Sequence, residues 1–111
     1  MTGLRTAIIE VQLPNVPSRM DEVATMARSV GYDVVDQIGQ KRNSIDHSFT
    51  IGRGKLLELK QTVEEKRIDL LIFTNTLTSA HVFSIQQKIG NDVRVIDRNL
   101  LILDLFRKRA M

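Results

Sequence analysis

A continuous apolar run in the middle of the chain places the strongest limit on the fold. Residues Leu70–Phe73 follow one another within the segment 67–75 without any alternation of polar and apolar side chains. A strand with one face in water alternates, whereas a strand covered on both faces does not, and such strands belong to parallel sheets with helices above and below. The run therefore predicts a central strand. Its carboxyl end, Thr74, Asn75 and Thr76, is where an open α/β sheet usually places a ligand or partner; a plain core strand without a site is the alternative.

Strand-like and helix-like segments alternate on both sides of this run. Strands are predicted at 6–13, 32–38, 70–73 and 92–97, and helices at about 19–30, 55–66, 79–89 and 100–109. Ser18, Thr78 and Asn99 are the predicted helix caps, and Gly31 is the predicted left-handed stop of the first helix. Residues 39–50 are predicted to be a long polar loop. The alternation predicts a single α/β domain over 1–111, a four-stranded mainly parallel sheet with helices on both faces and the last strand at an edge.

The composition argues against several kinds of site. The chain has no cysteine and only two histidines, His47 and His81, which lack ligand spacing, so no metal site is expected. No apolar run approaches the roughly 18 residues that span a bilayer, and the first residues lack a signal-peptide core, so a soluble cytoplasmic protein is expected. No carboxylate pair and no nucleophile–histidine pattern can be placed by spacing, so no catalytic residue is predicted.

The segment 52–55, Gly-Arg-Gly-Lys, has some features of a phosphate-binding loop. Glycines let backbone amides approach an anion, and the lysine and the following helix end add positive charge. The Walker pattern needs a glycine where Phe49 stands and a Ser or Thr where Leu56 stands, which argues against an NTPase loop. Two interpretations stay open: glycines that only turn the chain into the helix, which is favoured, or a phosphate site. The phosphate site would consist of Gly52, Gly54 and Lys55.

Four basic residues lie within and just after the predicted long loop. They are Lys41, Arg42, Arg53 and Lys55. In a chain with a net charge of +3, such residues gathered on one edge would form a positive patch for the phosphate backbone of a nucleic acid. Scattered solvated charges are the alternative. The few aromatic residues lie mostly in apolar runs, so base stacking is not expected.

The last predicted helix is apolar on nearly every side. Residues 100–103 and 105–106 are all apolar. A helix of this kind is buried on several sides, but one small sheet can cover only one of them. We therefore expect a further surface against this helix, either the rest of a longer chain or a second copy. The predicted junction residues are Leu101, Leu105 and Phe106.

Five segments, in order along almost the whole chain, form a recognisable set. They are 31–35 (Gly-Tyr-Asp-Val-Val), 40–42 (Gln-Lys-Arg), 51–56 (Ile-Gly-Arg-Gly-Lys-Leu), 69–73 (Asp-Leu-Leu-Ile-Phe) and 95–110, which begins Val-Ile-Asp-Arg-Asn-Leu. Together they resemble the amino-terminal domain of the HflX-type ribosome-associated GTPases. The segment 95–110 is the most specific, and 51–56 comes next. The chain departs from the family at 75–79, Asn-Thr-Leu-Thr-Ser, where an acidic residue and a proline are usual.

The resemblance implies an α/β domain that is followed by a helical hairpin and a GTPase domain, neither of which is present here. It implies binding to the large ribosomal subunit and its rRNA, in a protein that acts in ribosome splitting or rescue. GTP and magnesium would bind only the absent GTPase domain, so this chain is expected to hold no cofactor and to be non-catalytic by itself. The hairpin and the GTPase domain would then be the partners of the last helix, with self-association through that helix as the alternative. ATP binding has been proposed for this region of the family, and the sequence assigns it no residues.

Overall fold

Four parallel strands form one sheet in the order β2-β1-β3-β4 in the computed structural model, which describes residues 3–110. The strands are β1 Arg5–Gln12, β2 Asp33–Lys41, β3 Leu70–Phe73 and β4 Arg94–Asp97, and the helices are α1 Met20–Val30, α2 Arg53–Lys66, α3 Ser79–Ile89 and α4 Arg98–Ala110. All three strand pairings are parallel, which confirms the predicted fold class. The central place of β3 and the edge place of β4 are confirmed as well.

The helices cover the two faces of the sheet in pairs. Leu71 and Phe73 of β3 pack in a core with α2 and α3, whereas Leu70 and Ile72 pack in a second core with α1 and α4. All four side chains of β3 are buried. Since each buried side chain of this size contributes about 1.5–3 kcal/mol, a strand that faces two cores has no position for a polar residue. This is the physical origin of the unbroken apolar run.

One predicted helix cap is wrong, and another acts from one residue before the cap position. The Oγ of Ser18 accepts from the N–H of Met20, the first residue of α1, at 3.2 Å, and its hydroxyl donates to the carboxylate of Glu10 at 2.6 Å. Arg19, at the cap position itself, forms no side-chain cap. Helix α4 begins before Asn99, and the Asp97 carboxylate accepts from the N–H of Leu100 at 3.1 Å. Asp97 therefore caps α4, in place of Asn99.

The other predicted helix ends are confirmed. Gly31 ends α1 in the left-handed conformation, with a φ of 103°. Thr78 caps α3 by accepting from the N–H of His81 at 3.1 Å, and Nδ1 of His81 accepts from the N–H of Thr78 at 3.2 Å. The other ring nitrogen of His81 lies 3.0 Å from the backbone oxygen of His47. His81 thus has a structural place, since it joins the end of α3 to the loop after β2.

The predicted long loop is shorter and more ordered than its polar sequence indicates. Strand β2 continues to Lys41, because it pairs with β1 along its whole length. Further on, Asp46 and Thr50 exchange backbone hydrogen bonds of 2.9 and 3.1 Å. The Asp46 carboxylate also accepts from the N–H groups of Ser48 and Phe49, which closes a tight turn. The segment is therefore a compact turn packed before α2.

Helix α4 is less enclosed than its composition suggests. Leu101 is fully buried against the sheet, Leu105 is half-buried and Phe106 is 62% exposed. Leu100 and Leu103 are also exposed, on the same stripe as Phe106. Of the three predicted junction residues, Leu101 belongs to the core of this domain, and only Phe106 lies on the open stripe. Within residues 3–110, no helix combines the length and the apolar character that crossing a membrane requires.

Candidate functional site: the carboxyl edge of the sheet

The carboxyl ends of β1 and β3 meet at the point where the order of the strands reverses. The chain passes from β1 to β2 on one side and then crosses over to β3 on the other. In open α/β sheets this point opens a crevice in which ligands bind. Thr74, Asn75 and Thr76, singled out from the sequence, all line a cavity of about 270 Å³ at this place.

The floor of the crevice is the buried carboxylate of Glu10, which is only 3% exposed. One of its oxygens accepts from the Ser18 hydroxyl at 2.6 Å and the Gln12 amide at 3.4 Å. The other accepts from the Arg19 N–H at 2.7 Å and the Thr74 hydroxyl at 2.8 Å. Burial by itself raises the pKa of Glu10, but these hydrogen bonds outweigh it and hold the pKa below its ordinary value. Glu10 is therefore ionised at neutral pH, and all four of its acceptor positions are occupied.

The carboxylate of Glu10 takes the position that an anionic ligand usually takes in such folds. A helix amino terminus carries partial positive charge and free N–H groups, which attract phosphate. Here the N–H of Arg19, directly before α1, already donates to Glu10. The N–H of Met20 donates to the Ser18 hydroxyl, so the first two N–H groups at this end of α1 are already used within the protein. Glu10 therefore stabilises the fold there.

Asn75 closes the gap between β1 and β3 beyond the last paired residue. Its Oδ1 accepts from the Val11 N–H at 2.8 Å, and its Nδ2 donates to the Val11 carbonyl at 3.0 Å. The side-chain amide thus imitates the peptide group of a further strand residue. The polar side-chain atoms of Thr74 and Asn75 are thus hydrogen-bonded within the protein. A ligand at this edge would therefore contact other residues that line the cavity.

Two adjoining depressions above this floor form one groove, which we call the carboxyl-edge groove. Their volumes are about 270 and 600 Å³, and they share Gln12, Leu13, Val16 and Ser18. The remaining polar and charged lining consists of Arg19, Lys41, Arg42, Asn43, Thr76, Arg98 and Asn99, together with the floor residues. Within the described part of the chain, its only carboxylate is the saturated one of Glu10. Arg98 is held by Glu22 at 2.6 Å, which leaves Arg19, Lys41 and Arg42 as its less neutralised cations.

The structure distributes the four predicted basic residues over three surfaces. Lys41 and Arg42 line the carboxyl-edge groove. Arg53 lines a separate cavity between α2 and α3. Lys55 lies 3.5 Å from Glu58 on its own helix, in a third depression. Only Lys41 and Arg42 thus share one surface.

The Asp46 carboxylate is close enough to Arg42 and Arg53 for their charges to affect its pKa. The pKa of Asp46 is lowered chiefly by the N–H of Phe49 and also by that of Ser48, against a smaller rise from burial. The charges of Arg42 and Arg53 lower it further. Asp46 therefore offsets a small part of the charge of Arg42 and of Arg53, and it forms an ion pair with neither of them.

The segment 52–55 shows two different glycines. The N–H of Gly52 donates to the side-chain oxygen of Gln40 at 2.8 Å, and a methyl group on Gly52 would lie 2.6 Å from a guanidinium nitrogen of Arg42. The ends of the Arg42 and Gln40 side chains thus lie directly over Gly52, and a larger residue there would have to displace them. A methyl group on Gly54 would meet nothing within 4 Å. The hydrogen bond to Gln40 makes the N–H of Gly52 unavailable to a phosphate. It therefore supports the interpretation in which Gly52 only turns the chain into α2.

Sequence reasoning missed most residues of the groove. Gln12 ends β1, and Arg98 and Asn99 follow β4, and the carboxyl ends of parallel strands gather at one edge. Position after a strand was therefore an available signal. Glu10, a lone acidic residue inside an apolar strand, was a second signal, since buried charges occur where partners are present.

Comparison with known proteins gives this geometry a context. Residues 17–107 match the sequence profile of a family described as GTP-binding GTPase N-terminal. The chain belongs to this family. The resemblance to the amino-terminal domain of HflX-type GTPases is thereby confirmed. Among residues 3–110 of this HflX-type domain, no group of three or more His, Asp or Glu side chains is placed to hold a metal ion.

Curated relatives named GTPase HflX support the assignment. The one from Thermofilum pendens is 41% identical over 91 residues, which cover 82% of this chain and 21% of the relative. The one from Caldanaerobacter subterraneus is 35% identical over 100 residues, or 90% of this chain and 23% of the relative. The HflX-type domain thus spans about a fifth of the length of these relatives.

Solved structures share the fold. One is SsGBP in complex with GDP, with a TM-score of 0.74 and 22% identity, over 95% of this chain and 29% of that one. Another is a GTP-binding protein from Sulfolobus solfataricus in complex with GDP, with a TM-score of 0.69 and 24% identity, over 93% and 30%. The HflX-type domain therefore has the same arrangement of strands and helices as part of these proteins.

Proposed function

We propose that this domain is a non-catalytic RNA-binding part of an HflX-like GTP-binding protein, and that it contacts rRNA of the large ribosomal subunit through the carboxyl-edge groove. In this proposal the intact protein acts in ribosome splitting or rescue, and GTP and magnesium bind outside these residues. The observation that carries the proposal is a groove with several cations and a single carboxylate, which is already fully hydrogen-bonded. Family membership supports the same function.

The cations of the groove suit phosphate groups. Lys41 is exposed, and the Arg42 side chain is held by a 2.9 Å hydrogen bond to the backbone oxygen of Ser44. Holding Arg42 in place lowers the conformational entropy that a phosphate contact would cost. Since Glu10 has no acceptor position left, it repels a polyanion less than a free carboxylate would.

The neutral lining of the groove suits the remainder of a nucleotide chain. Gln12, Asn43 and Asn99 present amides at three places along it. Amide side chains donate and accept hydrogen bonds, and they commonly contact sugars and base edges. No aromatic side chain lines the groove within residues 3–108, so its contacts would be polar and electrostatic rather than stacking.

The ionisable groups with displaced pKa values support a non-catalytic role. All four acceptor positions of Glu10 are taken by neighbouring donors, and one carboxylate oxygen of Asp46 accepts from two backbone N–H groups. The Tyr32 hydroxyl donates to Asp104 at 3.1 Å, and burial, followed by the Asp104 charge, raises the pKa of Tyr32. Each displaced pKa therefore has a cause within the fold, as expected for groups with a structural role.

The test is binding to purified large ribosomal subunits at several salt concentrations. We expect the double variant Lys41→Gln/Arg42→Gln to bind more weakly and to reduce the slope of log K against log salt by roughly 1 to 2. The matched control Arg28→Gln/Lys60→Gln removes one arginine and one lysine from exposed helix positions outside the groove. The control should bind like the original chain. Absence of binding at low salt, or equal losses in both double variants, would contradict the proposal.

A small phosphate-binding site at 52–55 is the competing function and has less support. The N–H of Gly52 is already bonded to Gln40, and Lys55 lies beside Glu58. Calorimetric titration with ATP and GTP separates the two proposals. Binding heat that disappears in Lys55→Ala would favour the phosphate site, whereas no heat with either nucleotide leaves the groove as the anion-binding surface.

A further inference from the structure

A second depression lies on the α2–α3 layer and plays no part in the groove. It has a volume of about 320 Å³ and is lined by Phe49, Arg53, Leu56, Leu57 and Lys88. We call it the α2–α3 pocket. It shares no lining residue with the carboxyl-edge groove.

The α2–α3 pocket has an apolar floor and an apolar rim. Leu56 and Phe49 are buried beneath it, at 3% and 9% exposure, whereas Leu57 at its rim is 69% exposed. Helix α2 is otherwise polar on its outer side, so Leu57 is not needed by the core of this domain. Exposed apolar surface beside a cavity is typical of an interaction site. An apolar side chain that enters the cavity removes its own surface and that of the rim from water.

The charged lining of the α2–α3 pocket is entirely positive. Arg53 and Lys88 are its two charged residues, and no carboxylate lines it. Neither cation forms an ion pair with any residue that the structure describes, and Arg53 has only the weaker charge interaction with Asp46. An occupant that placed negative groups at the rim would therefore gain attraction to both cations.

We propose that the α2–α3 pocket docks an acidic, apolar segment of a protein partner. An aliphatic or aromatic side chain of the partner packs on Leu57 and Phe49, and adjacent carboxylates lie against Arg53 and Lys88. The apolar floor favours a peptide over RNA, because a phosphate backbone would leave that floor without contacts. The combination of one apolar anchor with charged neighbours is a common arrangement in peptide recognition.

The proposal is tested by following the backbone amide NMR signals of the 111-residue chain during titration with three probes. The probes are acetyl-Asp-Glu-Leu-Phe-amide, acetyl-Lys-Lys-Leu-Phe-amide and a uridine oligonucleotide. We expect the acidic peptide to shift signals around the α2–α3 pocket with a Kd of about 1 mM, as suits a short peptide with one anchor. The basic peptide should bind at least about tenfold more weakly, because it would meet like charge.

Two variants and a matched control sharpen the test. Leu57→Ser and Lys88→Gln should each weaken binding of the acidic peptide by about fivefold or more. Phe83→Ser removes an equally exposed apolar side chain, 64% exposed on α3 and outside the pocket, and should leave binding unchanged. The proposal is overturned if the two peptides bind alike or if Phe83→Ser weakens binding as much as Leu57→Ser. It is also overturned if the oligonucleotide shifts the same signals more strongly, or if sedimentation shows that a second copy occupies the pocket.

Discussion

At the scale of single residues, the most unusual position is Thr50. It is fully buried, has a φ of 69°, and its hydroxyl has no hydrogen-bond partner among the described residues. Valine has nearly the same shape as threonine and is also branched at Cβ, so its backbone preferences are similar. Thr50→Val therefore removes the unpaired hydroxyl and changes little else. Since such a group costs roughly 1–3 kcal/mol, we expect Thr50→Val to raise the free energy of unfolding by about 1 kcal/mol in urea denaturation.

A second buried threonine provides the control. Thr6 is also fully buried, but its hydroxyl donates to the Leu4 carbonyl at 2.9 Å. Thr6→Val removes this hydrogen bond, while the Leu4 carbonyl keeps the Asp33 N–H as a donor, so it should lower the free energy of unfolding by about 1 kcal/mol. If both substitutions destabilise the protein equally, Thr50 has a partner or a role that the structure does not show.

Glu10 makes the stability of the domain depend on pH. Its pKa in the folded protein lies below the ordinary value of 4.5, so the unfolded chain binds more protons as the pH falls. Its contribution is therefore complete above about pH 4.5 and is lost as the pH falls through the lower folded pKa. We expect Glu10→Gln to lower the free energy of unfolding at neutral pH by about 2 kcal/mol, because an amide replaces charge-assisted hydrogen bonds.

The pH profile of urea denaturation distinguishes this effect from simple loss of packing. The Glu10→Gln protein should lose less stability on acidification than the original chain, since one group with a lowered pKa is gone. Asp46, whose pKa is also lowered, keeps part of the slope. A parallel shift of the whole profile would mean that Glu10 has the same pKa in the folded and unfolded chain, which would contradict the prediction.

At the scale of elements, helix α4 separates core from open surface. Leu101 is fully buried, while Phe106 is 62% exposed on the stripe that also holds Leu103. We expect Leu101→Ala to lower the free energy of unfolding of this chain by about 3 kcal/mol, and Phe106→Ser to change it by less than about 0.5 kcal/mol. Thermal or urea denaturation measures both. A loss of several kcal/mol in Phe106→Ser would mean that the stripe is packed within this domain.

The elements also show which part of the fold is readable from the sequence. The limits of β3, the carboxyl end of α1 at Gly31 and the start of α3 at Thr78 were predicted. These signals depend only on residues that are adjacent in the chain. The start of α4 was not predicted correctly, because Asp97 at the end of β4 caps the helix in place of Asn99. The start of α1 was predicted to within one residue, but the hydrogen bond from Ser18 to the carboxylate of Glu10 on β1 was not, since it depends on where another element lies.

At the scale of the whole molecule, parallel topology determines which charges meet. The predicted set of four cations was close in sequence, yet the fold sends Arg53 and Lys55 to other surfaces than Lys41 and Arg42. The fold also brings together residues that are far apart in the sequence. Lys41, at the end of β2, and Arg98, which follows β4, line the same groove. A local charge pattern could not predict this, because the strand order β2-β1-β3-β4 is decided by packing over the full chain.

The amide of Asn75 has a mechanical consequence. It adds two hydrogen bonds between β1 and the segment after β3, beyond the last paired residues of these strands. These bonds limit how far the two halves of the sheet can separate at the floor of the carboxyl-edge groove. A surface that keeps its shape before its partner arrives loses little freedom on association, so more of the contact energy remains for holding the complex together.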